Sequence, residues 1–588
     1  MHKTAFSLLL ILVAFTSAAQ QTRQQKEYYD EEKKKIKSIE SFRYAVQHGK
    51  ATYYYENGKV AKESNFKLGK EDGTWKTYYD DGKQKAEERY DYGKKTGVWT
   101  YWYKSGLKAQ VLAWKNDKED STWTGWHENG KVKSEENFKG GAKNGKWTYW
   151  YDNGNMESEG YFKDGYRNGS FKSWYMNGQQ QVIGEYTMNN QTGKWQEWYK
   201  SGQKKQEAEY RNGDFYLMNL WGEKGEQIIK DGNGKFTTVF DSGKKKSEGM
   251  YKNGRRDGEW TDWLETGEKD FTVKYVDGRR EGNAVYWYPN GKLKIEGTYA
   301  NDKKNGPWKW YREDGKVEME GPFKDDKQEG KWVYWFADGK KESEGFFKDD
   351  KRDSLWVYWY KDGSKWKEGH HRNDLRQGTW TFWFENGQKM QEGNFELGKE
   401  EGLWTAWYDN GQKKDEGTFK KGIMDGPWKG WYSNGKQSYE GASTNGRKEG
   451  HWKFWYENGK PREEGDYKMG LKNGAWVFWS EAGIKDMEGN YENDKPEGKW
   501  TYYYEEGGVK QEQNYTEGKL TGKSVMYYPT GAVMSIQRYK VTRSRFNVNE
   551  KPQSKPDGEW IYYDKKGNVL SKTVYKNGKK ISQELAPR

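Results

Sequence analysis

Trp308, Trp332, Trp356, Trp380, Trp404, Trp428, Trp452, Trp476 and Trp500 stand 24 residues apart. A glycine lies two positions before each of them, with Ser354 the one exception. A fixed period of this length belongs to repeat architectures, in which a small unit buries its apolar face only by stacking on copies of itself. With the clock tryptophan as position 0, units start at Ala51, Trp75, Trp99, Trp123, Trp147, Phe171 and Trp195. They resume at Phe236, Trp260, Ala284 and Trp308 through Trp500, followed by Ser524 and Trp560. A chain that spends nearly every residue on one pattern leaves few unique residues from which to build an active site.

Position +3 is aromatic almost throughout, and position +4 is usually Tyr or Phe. The run Trp-x-x-Trp-Tyr is rich in β-formers and reads as a short strand. It ends at dipeptides such as Asn57-Gly58, Asn153-Gly154, Asn410-Gly411 and Asn458-Gly459. These favour a two-residue type I′ turn, whose central residues both take positive φ. A second strand then runs to a Glu-Gly-x-Phe/Tyr tail, as in Glu320-Gly321-Pro322-Phe323. A two-residue loop sets position 0 opposite position +13, so Trp452 faces Gly465 and Lys453 faces Glu464. Position +18 holds Gly, Asn or Asp, which enter the left-handed region cheaply, and predicts a second tight turn with one residue at positive φ. Positions 0 and +4 are expected on one face and +3 on the other. The fold class that follows is all-β: an elongated, single-layer antiparallel β-meander of tandem 24-residue β-hairpins.

Charged residues make up 33% of the chain, which alone would suggest disorder, but 17% are aromatic, and disordered chains are poor in such rings. The net charge of +13 is spread along the length, with Lys and Glu alternating inside each unit. That describes a solvated mixed surface rather than the concentrated basic stripe of a nucleic-acid binder. It leaves room for attraction to an anionic envelope polymer or lipid. There is no cysteine, hence no disulfide, no acylated lipoprotein anchor and no thiolate metal site. Residues 1–19 read as a secretory signal peptide: His2 and Lys3, an apolar run over 5–15, and Ser17-Ala18-Ala19 before cleavage at Gln20. That run is too short to span a membrane, and no later segment approaches the required ~20 apolar residues.

The domain reading is a signal peptide at 1–19 and a polar tail at 20–44 that is mobile or a short helix. A first repeat block covers 45–213, a shortened irregular hairpin 214–233, and a second block 234–542. A polar insertion at 543–556 reads as a loop, and a terminal repeat and tail cover 557–588. A bend or register change is expected at the shortened unit.

No catalytic, cofactor or metal site is expected. His127 replaces a +4 aromatic, His451 takes a surface slot at −1, and the adjacent His370 and His371 follow Glu368-Gly369 in what reads as a loop. Neighbours on an extended chain point to opposite faces and cannot share a metal ion. Carboxylate pairs such as Glu463-Glu464 recur without a cleft that would mark one of them. The +3 rings Trp150, Trp174, Trp198, Trp335, Trp359, Trp383, Trp407, Trp431 and Trp455 are the candidate ligand-stacking residues. A single-layer sheet leaves part of its aromatic surface open to sugar rings or peptide strands.

The string Glu416-Gly417-Thr418-Phe419-Lys420-Lys421-Gly422-Ile423-Met424-Asp425-Gly426 resembles the heart of a MORN repeat. The same string recurs at 392–402 and 248–258. The tryptophan in each unit makes these repeats similar to the bacterial MORN variant of YwqK-family antitoxins, over roughly residues 45–580. The resemblance implies an elongated single-layer antiparallel sheet and a scaffold role, with no antitoxin activity carried over. The resulting expectation is an exported, non-enzymatic scaffold that binds a protein or a cell-envelope component. A carbohydrate-binding repeat protein using exposed Trp/Tyr ladders is the alternative. The open ends of such a sheet would also allow end-to-end self-association.

Overall fold

The structure is a computed structural model that describes residues 22–543 and 551–586, so the export signal read at 1–19 lies outside the described residues. The chain divides into two compact units. One is Met1–Gly267 with Thr272–Arg279; the other is Glu268–Phe271 with Arg280–Arg588. Among the described residues there is no helix, and strands pair antiparallel with their neighbours in sequence. The second unit carries the most regular repeats. A typical one is Lys399–Trp407, Lys413–Lys420 and then Ile423–Trp431 of the next copy.

The two turns of each unit exchange the geometries that the sequence predicts for them. At the Asn-Gly tip, Tyr408 N donates to Gln412 O, and Gly411 N donates to Tyr408 O. Only the glycine has positive φ, at +83° for Gly411. This is a three-residue loop, a type I turn closed by a left-handed glycine, not a type I′ turn. The type I′ turn sits at the other end. Glu396 pairs with Lys399, and both residues between them are left-handed, Leu397 at +49° and Gly398 at +81°. Two residues, not one, therefore have positive φ there.

The longer tip loop does not displace the predicted register. Trp452 pairs with Gly465 and Lys453 with Glu464, as the shorter loop would give. A bulge between Phe454 and Trp455 takes up the difference: Phe454 pairs with Glu463, but Trp455 pairs with Pro461. One extra residue in the loop and one extra residue in the second strand cancel. A further bulge precedes each clock tryptophan. Gly417 pairs with Trp428 and Phe419 with Met424, two steps against four. The residue at −2 turns left-handed to allow it, and this explains the glycine there. Gly402 has φ +70°, and the two serines that replace glycine here, Ser121 and Ser354, adopt +60° and +58°.

One face of the sheet carries a ladder of rings. Most clock tryptophans contact the aromatic at +15 of their own unit and of the unit before; Ser443 interrupts the series between Trp428 and Trp452. Trp380, Phe395, Trp404, Phe419 and Trp428 follow one another at 6.1, 5.0, 6.1 and 5.4 Å. The ring at +2 joins them, Phe382 lying 6.0 Å from Trp380. The face is thus shared by 0, +2 and +15, while the +4 tyrosine goes to the hairpin tip instead. A cation at −4 covers the rings: the Arg376 guanidinium lies 4.8 Å from Trp380 and 5.0 Å from Phe395. Trp476, under Lys472 at 4.0 Å, and Trp332, ringed by Trp310, Phe323, Tyr334 and Phe347, are fully buried although each lies in a sheet without an opposing layer.

The tips are stapled from unit to unit. Tyr408 Oη donates to Trp431 O at 3.0 Å, and Asn410 Nδ2 donates to Ser433 O at 2.8 Å. His127 does the work of its tyrosine counterparts through Nε2 at 2.8 Å from Trp150 O.

Three irregular places complete the fold. The segment read as a mobile tail or short helix is a hairpin: Arg23–Tyr28 pairs with Ile36–Arg43, which in turn pairs with Val46–Tyr54. Backbone pairing with the first repeat strand satisfies donors and acceptors that a charged tail would leave to water. Part of the insertion read as a loop is also extended, since Gln553–Pro556 pairs with Thr542 back to Tyr539. The shortened unit forms the two strands expected of it, Asp214–Trp221 and Gln227–Ile229, and the ladder of backbone pairs stops after them. The gap is sutured through two turns. Gly232 N donates to Met218 O at 2.7 Å, Gly254 N to Gly232 O at 2.8 Å, and Leu217 N to Gly254 O at 2.8 Å. Arg255 locks the suture, with Asp214 at 2.6 Å and the Tyr216 ring 4.3 Å away.

Candidate functional site

The face opposite the ring ladder is built from positions −1, +1, +3 and +12, with the +9 side chain reaching across. The regular alternation of an extended strand puts +1 and +3 on this side. Each of the nine candidate tryptophans, Trp150, Trp174, Trp198, Trp335, Trp359, Trp383, Trp407, Trp431 and Trp455, is half-buried. Trp335 through Trp455 occupy six successive units of the second compact unit. With paired strands ~4.8 Å apart, neighbouring rings of this row are separated by roughly 10 Å. Trp150, Trp174 and Trp198 form a shorter row in the first.

A lysine and a glutamate frame many of these rings. Lys389 Nζ lies 2.7 Å from Glu392 and 5.6 Å from the centre of Trp407. Lys413 stands 2.5 Å from Glu416 and 5.5 Å from Trp431. Lys365 and Lys341 stand in the same way over Trp383 and Trp359, at 5.0 and 5.6 Å. The hydrogen bond from Lys389, with that from Thr381, holds the Glu392 carboxyl below the usual carboxylate range. Where +3 is tyrosine, the phenol takes over the lysine's partner. Tyr78 Oη donates to Glu63 at 2.8 Å and Tyr311 Oη to Glu296 at 2.6 Å. Burial, and then the Glu63 bond, push Tyr78 up to about 12. The cross-strand pair expected between +1 and +12 forms at Lys309 and Glu320, 2.9 Å apart.

Trp335 differs from its neighbours. The residue that would cover it is Val317, not lysine. Its ring lines a groove of about 880 Å³ on this face, together with Val333, Lys309, Lys331, Glu320 and Glu344. The +3 rings are legible in the sequence. The capping lysines and the uncapped groove were missed, and the signal for both was the residue at +9, Val317 against Lys341, Lys365, Lys389 and Lys413.

His370 and His371 lie on a strand, Lys365–Arg372, rather than in a loop. His370 is exposed and His371 is buried, so they face apart as expected of neighbours. His371 occupies a +15 ladder slot, 5.0 Å from Trp380, and its Nδ1 has no hydrogen-bond partner. Burial, reinforced by the Arg352 and Arg376 guanidiniums, pushes it down to about 4. Among the described residues no group of side chains has the arrangement of a metal site, and no helix is long and apolar enough to cross a membrane.

Thirteen segments match the family described as MORN repeat variant: 47–68, 71–92, 119–139, 143–164, 191–212, 280–301, 304–325, 328–349, 376–396, 400–421, 448–469, 496–517 and 556–577. Each match ends at or next to a tight turn, so the matched repeat and the structural hairpin are the same object. No curated protein matches the chain. Among solved structures, the crystal structures of TcdB2-TccC3-TEV and TcdB2-TccC3 are similar at 9% and 10% identity, over 97% and 94% of this chain. The chain spans 36% and 32% of their length, and the TM-score of 0.12 for both carries no argument.

Proposed function

We propose that this chain, a MORN-repeat protein, is an exported, non-enzymatic scaffold that binds a protein or cell-envelope component along its Lys-Glu-Trp face. The observation that supports the reading is the repetition of one set of side chains, Trp at +3 framed by Lys and Glu, over the four successive units of Trp359, Trp383, Trp407 and Trp431. A partner engaging several units gains avidity that no single unit provides. Export rests on residues 1–19, whose composition is that of a cleaved signal. The YwqK-like character of the repeats is part of the proposal only as a description of their sequence, and the antitoxin activity is not.

The test is retention of envelope components on the immobilised chain. Replacing Trp383, Trp407 and Trp431 together by serine should release a retained partner, while hydrogen exchange of the ladder face stays unchanged. Retention that survives this change, or hydrolysis of a model substrate by the purified chain, contradicts the proposal.

The groove at Trp335 favours a second reading, in which the chain binds carbohydrate. An uncapped indole between charged and hydroxyl-binding groups suits a pyranose face. Saturable quenching of tryptophan fluorescence by soluble cell-wall glycan, lost in Trp335→Ala, would select this reading over the first.

A further inference from the structure

Within the first sheet of repeats, from Phe66 to Phe215, the ring ladder is broken at one place. Rings follow one another from Phe66 through Trp75, Tyr90, Trp99, Trp114, Trp123, Phe138 and Trp147 to Phe162, the last step being 5.0 Å. They resume with Phe171 and Tyr186 at 5.9 Å. Phe171 is the clock residue of its unit, and it is a phenyl where its neighbours Trp147 and Trp195 are indoles.

The smaller ring leaves the slot unfilled. Trp195 lies so close over Gly184 that a Cβ on the glycine would come 2.2 Å from the indole. A Cβ on Gly160 would stand 3.4 Å from Phe171. A cavity of about 130 Å³ opens beside Phe171, with Trp147, Phe162 and Tyr186 in its walls. An apolar cavity near ~150 Å³ accepts one benzene. The volume is therefore close to that of a single ring.

The surroundings select the chemistry of that ring. Lys143 Nζ lies 3.7 Å from the Trp147 ring centre and 5.3 Å from that of Phe162. The Arg167 guanidinium lies 5.9 Å from Phe171 and 5.2 Å from Tyr186, and it donates to Tyr186 Oη at 3.2 Å. Two cations therefore stand on the ring walls. The one carboxylate at the cavity, Glu159, is neutralised by Lys146 at 2.8 Å and Lys172 at 3.6 Å. In most units the clock indole donates from Nε1 to the carbonyl ten residues earlier, as Trp147 does to Asn137 at 3.0 Å, although Trp195 turns to Thr192 O instead. The matching carbonyl here belongs to Tyr161, and Phe171 has no N–H to offer it.

We infer that the gap between Phe162 and Phe171 is a binding site for a planar aromatic carboxylate, preferably one whose ring carries an N–H. The ring completes the ladder, the carboxylate meets Lys143 and Arg167, and the N–H takes the Tyr161 carbonyl. This site lies on the ladder face and is independent of the scaffold proposed above.

The full chain is titrated calorimetrically with indole carboxylate and with fluorobenzoate, and cyclohexanecarboxylate serves as the non-planar control. Saturable binding of the two aromatic acids and none of the control is expected. Phe171→Trp fills the slot with the residue that neighbouring units carry, and should abolish binding while the chain stays folded. Changing both Lys143 and Arg167 to Met should weaken the aromatic acids by about tenfold or more while sparing neutral indole. Absence of saturable binding to the unaltered chain overturns the site. So does affinity unchanged in Phe171→Trp. Should that variant misfold, undiminished binding of fluorobenzoate to the Lys143→Met, Arg167→Met chain overturns it instead.

Discussion

The stretch from Trp75 to Trp147 and the stretch from Trp308 to Trp500 keep the same 24-residue clock, but their rings are set at different angles. In the first, ladder contacts of the clock tryptophans with the +15 rings, or with Trp114 in that slot, are tilted, from 42° at Trp123–Phe138 to 60° at Phe66–Trp75. In the second they are near perpendicular, from 75° at Trp404–Phe419 to 90° at Trp476–Tyr491. The residue eleven positions before each tryptophan separates the two. It is Ser64, Glu88, Leu112 and Glu136 in the first stretch, and glycine from Gly297 to Gly489 in the second. A Cβ on Gly393 would come 2.1 Å from Trp404. Glycine lets the indole rest on the backbone of the neighbouring strand and meet its flanking rings edge-on; any side chain lifts one edge and tilts it. Two outlying units obey the same rule. Trp195 follows Gly184 and meets Tyr186 at 86°, whereas Trp560, which strand pairing across the insertion sets opposite Gln537, meets Tyr575 at 49°. One backbone architecture thus accepts two modes of ring packing, and a single small residue per unit chooses between them.

The comparison can be broken most severely at the rings themselves. Trp404→Ala should lower the local opening free energy by about 3–5 kcal/mol, the range for truncating a buried aromatic. Trp123→Ala, at a half-buried ring, should cost less; equal losses by hydrogen-exchange mass spectrometry would show that the seat of the ring does not matter.

Acid tests the perpendicular stretch next. His371 is held neutral, so its folded pKa of about 4 lies below the ordinary 6.5. The unfolded chain binds the proton more readily. Stability is full above about pH 6.5 and is lost as the pH falls towards 4, by roughly 2–3 kcal/mol at the lower end. Protonation would place a third cation beside Arg352 and Arg376, with Lys367 also near and Asp374 opposing it. His371→Phe, which restores the usual ladder ring, should remove this acid limb from exchange measured at 355–380.

Smaller again is the effect of one methyl group. Gly393→Ala should cost about 1–3 kcal/mol because it overpacks the seat of Trp404. In the tilted stretch a Cβ already stands at this place, and Ser64→Ala should cost under about 1 kcal/mol, since its hydroxyl makes only a 3.4 Å contact with Ala51 O. Comparable melting shifts for the two would refute glycine as the selector. The smallest change is at the tips, which both stretches share: Tyr408→Phe and Tyr79→Phe should each lose about 0.5–1.5 kcal/mol with the phenol-to-carbonyl bond, and to the same extent.

Much of this was legible in the sequence, and what was not has identifiable causes. The pairing of Trp452 with Gly465 follows from counting outward from the tip. The count succeeded although the tip itself was of another type, because an Asn-Gly dipeptide serves both a type I′ turn and a three-residue loop with a left-handed glycine. The compensating bulge falls at +10, where Lys414, Trp366 and Ser438 share no chemical signature. The left-handed Leu397 and Met469 were equally invisible, since apolar side chains rarely adopt that backbone. Pairing of the strands on either side forces them into it. On the candidate binding face, the row from Trp335 to Trp455 could be placed by period alone. Which of its rings carry an ammonium depended on a side chain reaching from the preceding strand.

The sequence alone determined the period, the strand pairing and the placing of position +13 opposite each clock residue, because a two-residue side-chain repeat and a fixed loop length leave one consistent register. Only the tertiary structure decided how each ring is seated, where the left-handed residues fall and which indoles are covered. Those outcomes depend on distances between side chains in neighbouring strands, and bulges shift such distances by whole residues without marking any residue in the chain.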